Sequence, residues 1–146
     1  MSKPEQHHLE DYLHTLVIPT RWADNDVYGH INNSVYYFYF DTVVNKYLLD
    51  NGLLKIGKSK IVGLVVETSC SYFAPISFPD NVTAGLRITK LGNSSVRYEI
   101  GLFRNNETKA SAQGHFVHVY VNETSRRPAS LTDTMRTTLS ALLVNG

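Results

Sequence analysis

A run of aromatic and aliphatic residues between positions 34 and 51 sets the tightest limits on how this chain folds. The stretch Tyr36–Phe40 has a composition typical of a strand, but the spacing of the polar residues favours a helix. They recur at spacings of three, four and seven and form one stripe: Ser34, Asp41, Thr42, Asn45 and Lys46. Asn51-Gly52 supplies a C-terminal stop. Because the remaining surface is apolar almost all round, we expect burial on most of the circumference of this helix.

The rest of the chain supplies strands and a second helix. One strand is expected from Tyr12 to Thr20, and four more between Ile61 and Val121. Two of these four show clean alternation of apolar residues: Val82, Ala84, Leu86 and Ile88, then Val96, Tyr98, Ile100 and Leu102. Apolar residues at helical spacing after Pro128 predict a short amphipathic C-terminal helix. This order predicts an α+β domain, in which an antiparallel sheet curls around the long helix.

Length and charge limit the classes of partner. A chain of 146 residues can bury a sizeable core as one domain, so we expect a flexible N-terminus over residues 1–11 and a single domain over residues 12–146. A formal net charge of +1 argues against nucleic-acid binding and against a polybasic membrane-surface protein. The polar N-terminus lacks the body of a signal peptide, and no apolar run approaches the length of a membrane span. We therefore expect a cytoplasmic protein whose partners are small molecules or copies of itself.

Cysteine and histidine content argues against metal and thiol chemistry. Cys70 is the single cysteine and lies on the inward face of its expected strand, where a thiol is usually a small hydrophobic group. His115 and His118 are three residues apart on a strand, which sends their side chains to opposite faces. His7 and His8 fall in the segment expected to be loose. We expect no metal site.

The residues best suited to catalysis lie in the loop before the long helix. Two acids, Asp24 and Asp26, precede Gly29-His30, and Asn32 or Asn33 is placed to cap the helix. One interpretation is that the acids only complement the helix dipole. The other is that Asp26 faces a pocket while free backbone N–H groups from Gly29 to Ile31 point at a substrate oxygen. Such a site suits acyl transfer to water, with the carboxylate attacking a thioester carbonyl or activating a water.

The same loop resembles a known family. The pattern Asp24-X-Asp26-X-X-Gly29-His30-X-Asn32-Asn33-X-X-Tyr36 is similar to that of the 4-hydroxybenzoyl-CoA thioesterase-like group of hotdog-fold proteins. Residues 67–80, with their Tyr-Phe-Ala-Pro, and the turn at residues 91–95 are similar to the same group in order and spacing. The resemblance covers nearly the whole chain, and it is more specific for the family than for the substrate.

The resemblance implies a hotdog fold, in which a five- or six-stranded antiparallel sheet wraps one long central helix. It also implies pairing into a homodimer, with a homotetramer as the further assembly, and a place in lipid metabolism. The reaction is hydrolysis of an acyl-CoA or acyl-carrier-protein thioester at the subunit interface, with no cofactor, since CoA is part of the substrate.

The family's catalytic acid falls on Asp26, as nucleophile or general base, and Gly29 matches the element that polarises the carbonyl. His30 is assigned as a proton donor or water orienter, and Asn32 as a hydrogen-bond donor or cap. Asp24 is left as a structural acid. Three further residues are assigned to substrate binding: Tyr28, Ile31 and Tyr36.

Alternatives stay open at this point. A non-catalytic acyl-binding module of the same fold is one, although the intact Asp26-X-X-Gly29 spacing argues against it. A hotdog hydratase or dehydratase is disfavoured, because its Asp-X-Asn-X-X-His pattern would need Asn at position 26 and His one residue before His30. Basic residues that either contact CoA phosphates or only form solvated faces are Lys55, Lys58, Lys60, Arg87, Lys90, Arg126 and Arg127. The acyl group is left undetermined.

Overall fold

A computed structural model describes residues 4–145, so Met1–Lys3 of the predicted N-terminal segment and the last residue of the predicted domain lie outside the described residues. The strands are β1 (His14–Pro19), β2 (Ile61–Tyr72), β3 (Asn81–Leu91), β4 (Ser95–Arg104) and β5 (Ala112–Asn122). The helices are α1 (Asn33–Asp50) and α2 (Asp133–Ser140), and single 3₁₀ turns occur at Leu9–Asp11 and Trp22–Asp24.

The strands form one antiparallel sheet in the order β1-β3-β4-β5-β2. All of the alternating apolar residues predicted for β3 and β4 are buried and pack with α1 in the main core. The predicted α+β hotdog architecture is therefore confirmed, with five strands. α2 closes one end of the core, where Met135 and Leu139 are buried.

The burial predicted for α1 is wrong in part. One face of the helix is buried, and its members recur every three to four residues: Tyr36, Tyr39, Phe40, Val43, Val44, Tyr47 and Leu48. The opposite face is open, and Phe38 on it is 66% exposed. A single sheet of five strands can cover only one side of a helix, so the apolar residues on the far side lack a cover within this chain.

The strand β2 is an edge of the sheet and is largely exposed. Leu64, Val65 and Val66 follow one another there with their side chains accessible. The pairing with β5 shifts at this point, because Val65 lies opposite His118 while Glu67 lies opposite Val117. The extra residue makes a β-bulge, and the result is an apolar edge strand without a neighbour in this chain.

Part of the segment before β1 lies on the sheet face that points away from α1, the outer face. The N–H of His7 donates to Gln113 Oε1 at 2.7 Å, and the imidazole Nδ1 of His7 lies 2.7 Å from the hydroxyl of Tyr12. The ring of Tyr12 covers two glycines of the sheet, and a Cβ at Gly85 or Gly101 would lie 2.7 Å or 2.6 Å from that ring. Residues 7–11 thus have defined contacts, although the sequence predicts a flexible segment over residues 1–11.

His118 lies on the inner face of β5, whereas His115 lies on the outer face, as the spacing predicts. Only 3% of His118 is exposed, and it is surrounded by the aromatic rings of Tyr98, Phe116 and Tyr120. Neither ring nitrogen of His118 has a hydrogen-bond partner among the residues described. Burial lowers the pKa of His118 to about 4, so this imidazole is neutral in the folded protein near neutral pH.

Candidate functional site

The loop between β1 and α1 closes a tight turn around Asp26. The N–H of Asp26 donates to the carbonyl of His30 at 2.7 Å, and the N–H of Gly29 donates to the carbonyl of Asp26 at 3.1 Å. Gly29 has a φ of +81°, a left-handed conformation that residues with a Cβ rarely adopt. An added Cβ there would meet nothing within 4 Å, so backbone conformation and not crowding requires the glycine.

The carboxylate of Asp26 is oriented by its own turn. Its Oδ1 accepts the N–H of Tyr28 at 2.8 Å, and the N–H of His30 lies 3.4 Å from the same oxygen. The half-buried side chain lines a cavity of about 390 Å³. A carboxylate fixed in this way on a cavity wall can act as a nucleophile, or as a base toward a water, on a bound carbonyl compound.

The cavity lies between the Asp26 turn, the start of α1 and the end of β2. Its lining consists of Asp26, His30, Ile31, Asn33, Tyr36, Tyr72, Phe73, Ala74 and Pro75. The rings of Tyr36 and Tyr72 meet edge to face at a centroid distance of 5.0 Å, and the Tyr72 hydroxyl donates to the carbonyl of Asn33 at 3.2 Å. Burial is the main cause that raises the pKa of Tyr36, and the nearby Asp26 acts in the same direction. The wall therefore combines aromatic and aliphatic side chains with one acid and the polar residues His30 and Asn33.

Asp24 ties the loop to α1. It is 2% exposed, and its carboxylate accepts the N–H of Arg21 at 2.9 Å, the Arg21 guanidinium at 2.9 and 3.0 Å and the hydroxyl of Tyr39 at 2.8 Å. Burial alone would raise the pKa of Asp24, but the hydrogen bonds from Arg21 and Tyr39 outweigh burial and lower it. An ionised, fully bonded acid at this position holds the loop but has no oxygen to spare for a substrate.

The N–H groups of the loop are used differently from the sequence expectation. The N–H of Ile31 donates to the carbonyl of Ile76 at 2.8 Å, and the N–H groups of Gly29 and His30 face Asp26 as described above. The expectation that these three N–H groups are free is therefore wrong. Backbone polar groups in a packed loop need partners, and the loop finds them in its own turn and in the segment after β2.

A free backbone N–H beside the cavity belongs to Asn33, the first residue of α1. Asn32 caps the helix, since its side-chain oxygen accepts the N–H of Ser34 at 3.0 Å. The N–H of Asn33 has no hydrogen-bond partner within residues 4–145, and Asn33 lines the cavity. The positive end of the helix dipole thus lies at the cavity wall opposite an acid.

Four of the predicted site residues line the cavity: Asp26, His30, Ile31 and Tyr36. The side chain of Tyr28 is 83% exposed, and Tyr28 takes part through its backbone N–H. Sequence reasoning from the loop alone missed Asn33 and the segment Tyr72–Pro75. The Tyr-Phe-Ala-Pro motif in that segment was the available signal, because it stands out in the sequence at the end of a strand.

Other reactive groups are limited in what they can do. Burial raises the pKa of the Cys70 thiol to about 11, so this thiol is protonated at neutral pH. Among residues 4–145, no three or more His, Cys, Asp or Glu side chains lie together in a way that could hold a metal ion. Neither helix in that part of the chain is long and apolar enough to cross a membrane.

Comparison with known proteins gives a family match. A family model described as the thioesterase-like superfamily matches residues 20–139. The matched region begins just before the Asp24-X-Asp26 loop and ends within α2, so it includes the whole cavity wall described above.

Solved structures match over nearly the whole chain. The crystal structure of the PA5185 protein from Pseudomonas aeruginosa strain PAO1 is 49% identical with a TM-score of 0.92, covering 95% of this chain and 97% of that one. A thioesterase from Thermus thermophilus, solved in complex with coenzyme A and Zn, is 31% identical with a TM-score of 0.76, covering 91% of this chain and 96% of that one.

Among curated proteins, the uncharacterized protein YsmA of Bacillus subtilis (strain 168) is 25% identical over 122 residues. This match covers 84% of the present chain and 82% of YsmA. The similarity thus extends across the fold in several bacteria.

Proposed function

The chain belongs to the thioesterase-like superfamily and is a thioester hydrolase, and from that premise we propose that it cleaves acyl-CoA thioesters in the cavity beside Asp26. One observation carries this proposal. An oriented carboxylate and the N-terminus of the central helix lie on the wall of the same cavity, beside aromatic and aliphatic side chains. The Thermus thermophilus thioesterase was solved with coenzyme A, which supports CoA as the carrier of the acyl group.

Asp26 is the reacting acid in this proposal. Its Oδ1 is engaged by its own turn, which leaves Oδ2 for the substrate. The carboxylate attacks the thioester carbonyl, or removes a proton from a water that attacks it. In either route the C–S bond breaks, the acyl group leaves as the free acid after addition of water, and the CoA thiolate takes up a proton.

The negative charge that develops on the thioester carbonyl oxygen needs a hydrogen-bond donor or a positive charge to stabilise it. The free N–H of Asn33 and the start of the α1 dipole supply both, because partial positive charge at a helix N-terminus stabilises a developing oxyanion. The predicted role of Gly29 is then indirect, since its backbone conformation shapes the turn that presents Asp26. His30 lines the cavity and is the residue placed to protonate the leaving thiolate.

The acyl group rests on the remaining wall. Ile31 and Tyr36 are buried side chains of that wall, and Tyr72 faces Tyr36 from the other side. Tyr28 is exposed beside the turn, where it can contact the part of the substrate outside the cavity. Asn32 keeps the helix start in place as its cap.

A second copy of the chain completes the molecule in this proposal. The apolar edge at Leu64–Val66 and the open face of α1 around Phe38 are the surfaces that a homodimer would cover. A tetramer of two such dimers and a cytoplasmic location belong to the same proposal. An acyl-carrier protein in place of CoA is the competing carrier.

The test is thiol release from a panel of short-, medium- and long-chain and aromatic acyl-CoA thioesters, with matched acyl-carrier-protein thioesters. We expect wild type to hydrolyse at least one acyl-CoA and Asp26→Asn to lower kcat by about a hundredfold or more. Asp133→Asn, an exposed acid in the first turn of α2 that does not line the Asp26 cavity, is the matched control and should retain kcat. Equal rates for wild type and Asp26→Asn on every thioester would contradict the proposal.

A further inference from the structure

Three side chains on the outer face of the sheet form a second reactive cluster. Ser69 of β2 lies directly opposite His115 of β5, and its Oγ is 2.9 Å from His115 Nδ1. The other ring nitrogen, Nε2, is 2.8 Å from Oε1 of Glu67. A hydroxyl, an imidazole and a carboxylate are thus connected in series through the two nitrogens of one ring.

The chemistry of the three groups fixes the direction of the hydrogen bonds. The ionised carboxylate of Glu67 can only accept, so Nε2 carries the proton and donates it. In the neutral ring Nδ1 is then an acceptor, and the hydroxyl of Ser69 donates to it. This is the arrangement in which an imidazole can remove the serine proton while the acid holds the ring and stabilises its positive charge.

The cluster opens on a cavity of its own. About 390 Å³ of space lies against Ser69 and His115 and is bounded by Arg97, Gln113 and His7 of the N-terminal segment. No residue of this wall lines the Asp26 cavity. Strand alternation explains the separation, because Ser69 points to the outer face whereas Tyr72 of the same strand points to the face that carries α1.

Arg97 is the cation of this second cavity. Its guanidinium approaches Glu99 at 3.5 Å, long for a charge-assisted hydrogen bond, and Glu99 is bonded more closely by Arg87 at 2.7 Å. Arg97 therefore retains donor capacity for negative charge inside the cavity. The His115 side chain is 13% exposed, so its ring is held by packing while Ser69 remains accessible.

We propose that Ser69, His115 and Glu67 form a second hydrolytic site, which cleaves short-chain carboxylic esters on the outer face of the sheet. Ser69 Oγ bonds to the ester carbonyl carbon and its proton moves to His115 Nδ1. The C–O bond to the alcohol breaks, and the alcohol leaves with that proton. Water then cleaves the acyl-serine, releasing the carboxylic acid and returning a proton to Ser69 through Nδ1. Arg97 offsets the negative charge that develops on the carbonyl oxygen.

Hydrolysis of 4-nitrophenyl acetate by the full chain tests this site separately from the thioesterase site. We expect Ser69→Ala and His115→Gln each to lower the ester rate at least about tenfold, and Asp26→Asn to leave it unchanged. Glu67→Gln should reduce the rate less and shift its pH profile. Ser140→Ala, on the remote helix α2, is the control serine. Acyl-CoA hydrolysis by Ser69→Ala should equal that of wild type.

A covalent probe supplies the second readout. An alkyl fluorophosphonate should phosphonylate Ser69 with loss of fluoride, and mass spectrometry should find the adduct on the peptide that contains residue 69. The proposal is overturned if wild type does not hydrolyse the ester, if Ser69→Ala hydrolyses it at the wild-type rate, or if Asp26→Asn abolishes ester and thioester hydrolysis together. Lower stability of Ser69→Ala or His115→Gln with an unchanged ester rate also overturns it, because a cluster that only joins β2 to β5 predicts that result.

Discussion

The hydroxyl of Tyr39 donates a hydrogen bond of 2.8 Å to the buried carboxylate of Asp24, and so connects the second turn of α1 to the loop before it. Asp26 lies only two residues further along that loop. The position of Asp26, the proposed reacting acid, relative to the helix N-terminus therefore depends on a contact between two residues that do not line the cavity.

Tyr39→Phe should lower both stability and activity. Removing the hydroxyl deletes one of the two hydrogen bonds to the buried Oδ2 of Asp24, which keeps only the N–H of Arg21, so the free energy of unfolding should fall by about 1–3 kcal/mol. The kcat for acyl-CoA should fall as well, but by less than in Asp26→Asn. Urea unfolding and steady-state kinetics measure the two effects. Tyr28→Phe removes an exposed hydroxyl and should leave the urea midpoint unchanged. An equal loss of stability in Tyr39→Phe and Tyr28→Phe would contradict the role given to the Asp24 contact.

Gly29→Ala should impair catalysis through the backbone. With φ at +81° and open space around the position, the cost arises from the left-handed conformation, at about 1–2 kcal/mol. The turn that aligns Asp26 should relax, and kcat should fall with little change in KM. Gly52→Ala is a matched control, since Gly52 has a φ of +72° and equally open surroundings after the end of α1. It should lose comparable stability and keep kcat; a similar loss of kcat in both would indicate a general effect of instability.

The buried His118 should make the fold sensitive to acid. Its pKa is about 4 in the folded chain, against about 6.5 when unfolded, so the unfolded chain binds the extra proton between these values. Stability should therefore fall as pH decreases from about 6.5 to about 4, by on the order of 3 kcal/mol in total, with no further loss from this residue at lower pH.

Urea unfolding between pH 4.5 and 7.5 measures this slope. His118→Leu removes the titrating ring and two unpartnered nitrogens, so it should flatten the slope without lowering stability at pH 7 by more than about 1 kcal/mol. Phe116→Leu, at the neighbouring ring, should lower stability at every pH and keep the wild-type slope. An unchanged slope in His118→Leu would assign the acid sensitivity to other groups.

Val65→Lys should separate the subunits of the proposed dimer. Val65 lies on the apolar edge strand, and a charge there opposes pairing with another strand. Sedimentation velocity should show wild type as a dimer and the variant as a monomer with reduced thioesterase activity. Val17→Lys places the same charge on β1, the other edge of the sheet, and should remain dimeric. A wild-type protein that sediments as a fully active monomer would contradict the shared site.

Patterns of residues close in sequence predicted the features that short-range interactions determine, such as strand faces and the helix cap. Alternation identified the buried inner-face residues of β3 and β4. The sequence predicted Asn32 or Asn33 as the helix cap, and Asn32 has that position in the structure. The coverage of α1 was overestimated, because apolar character at Phe38 shows that a cover is needed but not that it comes from the same chain.

Four of the nine residues that line the cavity were among the site residues predicted from the sequence. Asp26, His30, Ile31 and Tyr36 lie close together in sequence, so one motif brought them into view. Tyr72–Pro75 reach the same cavity from the end of β2. The Tyr-Phe-Ala-Pro motif marks this segment, but no local pattern shows that it lies beside the Asp26 loop. The partner of the Ile31 N–H, at Ile76, was missed for the same reason.

The ring of Tyr12 over Gly85 and Gly101 has a consequence for how this sequence can diverge. A methyl group at either glycine would collide with the ring, whereas loss of the ring would uncover two adjacent strands that have no side chains of their own there. Substitutions at Tyr12, Gly85 and Gly101 are therefore expected to be correlated among relatives. Relatives with alanine at either glycine position should carry a smaller residue in place of Tyr12, and a change at one position should be tolerated only after a change at another.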